Sequence, residues 1–121
     1  EPTKQGNFAV YRWTGKQWQR DQSAWGTRIT VDADGNPWLT NTAKQIFALV
    51  NGQWQPFNGA AQDIAVDAFG APVVVDSSGK VMLFNPTANK WMTTGCDATA
   101  VAVGGGKVWH LGPGTEVYRQ K

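Results

Sequence analysis

The side chains with the widest chemical scope in this chain of 121 residues are its seven tryptophans. Trp38 and Trp109 each stand three residues after a glycine, Gly35 and Gly106, while the matching place after Gly70 is Val73. A position that alternates between an indole and a small aliphatic group is not obviously a rigid packing site. An indole face carries negative π-density, and the axial C–H face of a sugar ring is apolar and slightly positive, so the two stack. Asn41 and Asp76 follow Trp38 and Val73 by three residues, where the chain should turn. An amide or carboxylate there would fix a sugar's hydroxyl pattern. Trp38 and Thr40 share one face of a strand, which puts the ring beside polar loop atoms. With His110 next in line after Trp109, the candidate ligand-binding residues are Trp38, Asn41, Asp76, Trp109 and His110. The competing reading packs both rings between sheets, and their exposure decides between the two. Trp18, Trp54 and Trp91 recur at one place in each unit and read as packing.

Other chemistries find less support. His110 is the only histidine and Cys96 the only cysteine, whereas a metal site wants several such ligands; no metal or cofactor is expected. Asp32-Ala33-Asp34-Gly35-Asn36 resembles the start of a calcium loop, but position 41 is Asn where that loop needs a bidentate Glu. An Asx-type hairpin turn accounts for it better. Asp63 and Asp67 could in principle work as an acid/base pair on a glycosidic bond. Four residues apart along a strand and turn, they need not converge, so no enzyme is expected. Cys96 cannot form an internal disulfide and reads as a small buried side chain. Net charge is +2 with Lys and Arg scattered from Lys4 to Lys121, which leaves no clustered basic footprint for nucleic acid or an anionic membrane. No apolar run approaches the ~18 residues of a membrane span. The polar start, Glu1-Pro2-Thr3-Lys4, is also what a cleaved leader would leave. A secreted or cell-surface placement is expected over a cytoplasmic one.

What must position these residues is a repeat. Ile29-Thr30-Val31-Asp32 returns as Ile64-Ala65-Val66-Asp67, Gly35-Asn36-Pro37 as Gly70-Ala71-Pro72, and Trp54 as Trp91. Val101-Ala102-Val103 opens a third unit, and Val117-Tyr118-Arg119 takes its third strand. Val10-Tyr11-Arg12-Trp13, Trp18 and Gly26 are the second half of a unit with no first half. Gly35, Gly70 and Gly106 step by 35 and 36 residues; Trp18, Trp54 and Trp91 step by 36 and 37. Independent landmarks keeping one period identify a repeat protein. Within a unit, Ile29–Asp32, Pro37–Thr40, Gln45–Leu49 and Gln53–Phe57 read as four short strands. Asp34-Gly35 and Asn51-Gly52 are tight-hairpin dipeptides between them. Ile29/Val31, Ile64/Val66 and Val101/Val103 alternate at period two, so each first strand turns one face to a core. The prediction is an all-β chain of β-propeller blades. It forms one repeat domain over 1–121: a partial blade at 8–26, repeats at 27–59 and 60–95, and a partial repeat at 96–121.

With those residues in view, the pattern resembles the tectonin repeat. The matching pieces are Ile64-Ala65-Val66, Asp34-Gly35-Asn36-Pro37-Trp38, Val10-Tyr11-Arg12-Trp13, and Trp54 through Gly59. Two departures stand out: Val73 replaces the mid-repeat Trp of the second unit, and Gly104 the first-strand Asp of the third. The resemblance implies a six-bladed propeller, often a lectin for bacterial surface sugars or methylated glycans. This chain carries about three blades' worth of strands, so two copies related by a twofold axis would make six, as closed symmetric assembly favours. A piece of a larger propeller protein is the alternative for the chain, and a protein–protein scaffold the alternative for its function.

Overall fold

The computed structural model describes residues 3, 4, 6–112 and 117–119, with side chains over 6–112. Among the described residues, fourteen strands form four separate antiparallel sheets that follow one another along the chain. The first contains β1 (Thr3–Lys4), β2 (Asn7–Trp13) and β3 (Trp18–Gly26). The second contains β4 (Arg28–Val31), β5 (Pro37–Thr40), β6 (Ile46–Val50) and β7 (Gln53–Phe57). The third contains β8 (Asp63–Val66), β9 (Pro72–Val75), β10 (Lys80–Asn85) and β11 (Lys90–Asp97). The fourth contains β12 (Ala100–Gly104), β13 (Lys107–Leu111) and β14 (Val117–Arg119). Each sheet is a meander, strand order matching chain order, which is how a propeller blade is built. The two middle blades have all four strands, inner to outer. The fourth sheet has the inner three, and the first has no inner strand among the described residues.

Local chemistry sets the hairpins. Between β6 and β7, Asn51 (φ 51°) and Gly52 (φ 80°) both take positive φ, as a two-residue turn of the primed type requires. Asp32, Asn41, Asp67 and Asp76 build the turns after the first and second strands of both complete blades by one device. The Oδ1 of each accepts backbone N–H groups from two and four residues on: Asp34 and Asn36, Ala43 and Gln45, Phe69 and Ala71, Ser78 and Lys80, all at 2.9–3.0 Å. These are Asx turns. Asp32 is among them, so its carboxylate serves a hairpin.

Blades pack face to face, and the third is the filling. Ile64 and Val66 on β8, with Val74, pack against Trp38, Ile46 and Ala48 of the preceding blade. Ala65, Val73 and Val75, on the opposite face, join Val81 and reach Val101 of the following blade. Every residue of β8 and β9 is buried, which explains the unbroken run Pro72-Val73-Val74-Val75: a strand covered on both faces does not alternate. The inner strands are tied by Asp63, whose Oδ2 accepts the Val101 backbone N–H at 2.9 Å while Oδ1 lies 3.8 Å from Arg28 Nε. Asp63 and Asp67 are thus engaged separately, in a blade tie and a turn. Cys96 corrects an expectation: it is exposed, because it falls on β11, the outer strand of its blade, where little packs.

Candidate functional site

Trp38 lies in the core, 8% exposed. Its ring meets Phe57 edge-on at 5.1 Å between centroids, and its Nε1 donates to Asp32 Oδ2 at 3.2 Å. Both the indole face and its N–H are therefore used inside the fold, and the sugar-stacking role expected of Trp38 is replaced by packing. The reason is the neighbour. β5 faces the next blade, and its large ring fills the space over Ile64 and Val66. Trp109, its counterpart on β13, is 42% exposed. It borders a shallow, largely apolar hollow of about 200 Å3 with Ala100, Ala102, His110 and Leu111. His110, half-buried, is opposite Val101 in the sheet.

Asn41 and Asp76 do occupy matching places, as turn formers after β5 and β9, and their two turns are separate. Asn41 spends Oδ1 on its turn and donates from Nδ2 to Gln45 Oε1 at 2.9 Å. Asp76 gathers the Ser78 N–H, the Ser78 hydroxyl and the Lys80 N–H on Oδ1, and no hydrogen bond of the described residues reaches Oδ2. Partial burial pushes its carboxyl up, but the bonds from Lys80 and Ser78, with the Lys80 charge, outweigh that and hold it below the ordinary 3.8. Asp76 is an anion with one oxygen to offer.

The tryptophan near Asp76 is Trp91. A cleft of about 160 Å3 opens on the third blade beside the segment that joins it to the second, lined by Ala60, Val74, Asp76, Ser77, Met82 and Trp91. Trp91 is held from the preceding blade: its Nε1 donates to Asn58, to Oδ1 at 3.1 Å and to the carbonyl at 3.2 Å. Gly59 (φ 101°) makes that approach possible, since a Cβ there would sit 2.4 Å from Trp91 Nε1. Phe84 and Phe57 hold the ring by edge contacts at 5.1 and 6.1 Å, and Phe57 continues the aromatic chain to Trp38. Trp38 acts behind the cleft, then, in the core that supports Trp91. The volume is below the ~300–1,000 Å3 of drug-sized pockets and near the scale of one small ring.

The same arrangement occurs one blade earlier. Trp54 Nε1 donates to Asp21 Oδ2 at 2.9 Å, 33 residues back, just as Trp91 reaches 33 residues back to Asn58. Partial burial raises the Asp21 carboxyl, but bonds from Ser23 and Trp54 more than offset this and hold it below the ordinary 3.8. That cleft is larger, about 520 Å3, with Val10, Arg12, Ile29, Val31 and Trp54 in its walls. The closing tryptophans were legible as packing residues; their second role as cleft walls was not. The available signal was the acceptor placed 33 residues before each.

Four-stranded antiparallel blades, stacked face to face and repeated at a fixed period, define a β-propeller-type repeat protein. The Tectonin domain model matches residues 4–121, and the chain belongs to the tectonin family. That domain is a non-enzymatic propeller family. No curated protein sequence matches the chain.

Proposed function

We propose that this tectonin chain is a non-enzymatic, lectin-like module that binds carbohydrate in the cleft formed by its third blade and the segment leading into it. One observation carries the reading: the Trp91 indole and the Asp76 carboxylate line a single cleft, with Oδ2 of Asp76 outside the turn's own hydrogen bonds. An indole offers its π-density to the C–H face of a sugar. A carboxylate is an acceptor for hydroxyl donors, and such charge-assisted bonds are the stronger kind. Ser77 lies within the same ring-sized space. A cleft this small gives a weak single site, so useful affinity comes from several blades presented together. Cell-surface glycans, bacterial or methylated, are the ligand class, and a secreted or cell-surface placement fits that role.

The test is binding of folded protein to a broad glycan array, competed with soluble sugar, alongside Asp76→Asn. Asn41 already builds this turn in the preceding blade, so the substitution preserves the fold and removes only the charge. Binding should weaken at least about 10-fold, given the ~1.5–3 kcal/mol of a hydrogen bond to a charged group. Silence of folded wild-type protein across the array defeats the reading. It would favour a protein–protein scaffold, for which the fully exposed Phe69 at a turn tip is a natural contact.

A further inference from the structure

The turn after the second strand differs between the two complete blades, and the difference is one of charge. In the second blade Asn41, a neutral amide, builds it, and Thr42 beside it is tied to the first sheet. Asn7 donates from Nδ2 to Thr42 Oγ1 at 3.1 Å and accepts the Thr42 backbone N–H on Oδ1 at 2.9 Å. In the third blade the same two places hold Asp76 and Ser77, and both line the cleft of Trp91. Ser77 is exposed, and no hydrogen bond among the described residues reaches its Oγ. Oδ2 of Asp76 is likewise outside the bonds of its turn. The remaining walls, Ala60, Val74, Met82 and Trp91, carry no charge. Lys80 is the cation whose field reaches Asp76, and its ammonium pairs with Asp97. The cleft thus holds one negative charge and no cation in its lining.

We infer that the cleft selects sugars bearing a protonated amine and turns acidic sugars away, a selection that rests on the carbohydrate-binding reading of the same site. A ligand that closes over Asp76 strips water from a carboxylate, and a charge left unpaired there is costly. A neutral ring returns only hydroxyl donors. An ammonium returns a full opposite charge and three donors, for which Asp76 Oδ2 and Ser77 Oγ are two acceptors. The Trp91 ring adds to the selection, since an indole face attracts a cation as well as the C–H face of a sugar. A carboxylate or phosphate on the sugar meets like charge at Asp76 and finds no cation in the walls. Acetylation of the amine removes its charge, so N-acetylated sugars rank with neutral ones.

NMR titration of the folded chain, read on the Trp91 indole N–H, compares glucosamine, N-acetylglucosamine, glucose and glucuronic acid. Glucosamine should bind at least about 10-fold more tightly than glucose, given the strength of a hydrogen bond to a charged group. N-acetylglucosamine should rank with glucose, and glucuronic acid should bind most weakly. The advantage of glucosamine should vanish as pH rises through its amine's own pKa, while glucose binding stays level. In Asp76→Asn glucosamine should fall to the level of glucose, and glucuronic acid should rise to it. That rise is relative to the other sugars and is not something a misfolded variant can give. Sugars that shift Trp91 without this order, a glucosamine advantage that survives high pH, or an Asp76→Asn variant that keeps the order would each overturn the selection while leaving carbohydrate binding standing. Failure of all four sugars to shift Trp91 would also overturn it, and the glycan array then decides the wider reading by itself.

Discussion

Ile64 and Ile29 occupy the same place in consecutive repeats, and one is buried while the other faces an open cleft. The same division separates Trp38 from Trp109. Burial in a repeat protein is set by whether the neighbouring unit is present, since a blade cannot cover its own face. The region where the two complete blades meet has its full set of partners, and there an indole becomes core. Where the described residues of a sheet include no inner or no outer strand, the same side-chain types stand at the surface. The difference also separates the two tryptophan classes: the mid-repeat ring fills the space between blades, and the closing ring is clamped at their margin beside a cleft.

The contrast can be broken most severely at Trp38. Trp38→Ala should remove about 3–5 kcal/mol of unfolding free energy, the usual cost of deleting a core aromatic. Trp109→Ala, measured by urea titration, should stay within ~1 kcal/mol. Equal losses would erase the distinction. Ile64→Ala should cost about 2–5 kcal/mol, against ~0.5 kcal/mol for Ile29→Ala, whose side chain is 56% exposed. A large loss at Ile29 would mean the cleft is closed in solution.

Two glycines sharpen the picture on a smaller scale. Gly35→Ala, at φ 85° with nothing near the added methyl, should cost only the backbone term of about 1–2 kcal/mol. Gly59→Ala carries that term and must also displace Trp91, so it should cost more and alter the Trp91 fluorescence environment. Acid should act last. Asp21, Asp32 and Asp76 all lie below the ordinary 3.8; for each, partial burial works upward and hydrogen bonds to the carboxylate prevail. A depressed value stabilises the fold above pH 3.8, and that stability is lost as pH falls through the lowered values. Thermal melts should therefore be flat above about pH 5 and fall below 3.8, with a shallower fall in Asp32→Asn.

Much of the fold was legible because hairpin chemistry and period are local. Asn51-Gly52, the Asx residues and the step between glycines place the strands within a residue or so of Pro37–Thr40, Ile46–Val50 and Gln53–Phe57. Exposure was not legible for a different reason. It depends on which strand of another blade lies opposite, so Trp38 looked as available as Trp109, and Cys96 as buried as a free cysteine usually is. Asp76 was expected beside the ring of the mid-repeat position, and the ring that shares its cleft is another. Its partner in the cleft is Trp91, brought there by the stacking of blades and the clamp from Asn58 and not by proximity along the chain.

The most direct test of the carbohydrate reading follows the seven tryptophan indole N–H signals by NMR while a sugar selected on the array is added to the folded protein. The Trp91 signal should shift with saturation, and that of Trp38, buried against Asp32, should stay still. A sugar that binds without moving Trp91, or no binding at all by the folded chain, would contradict the account.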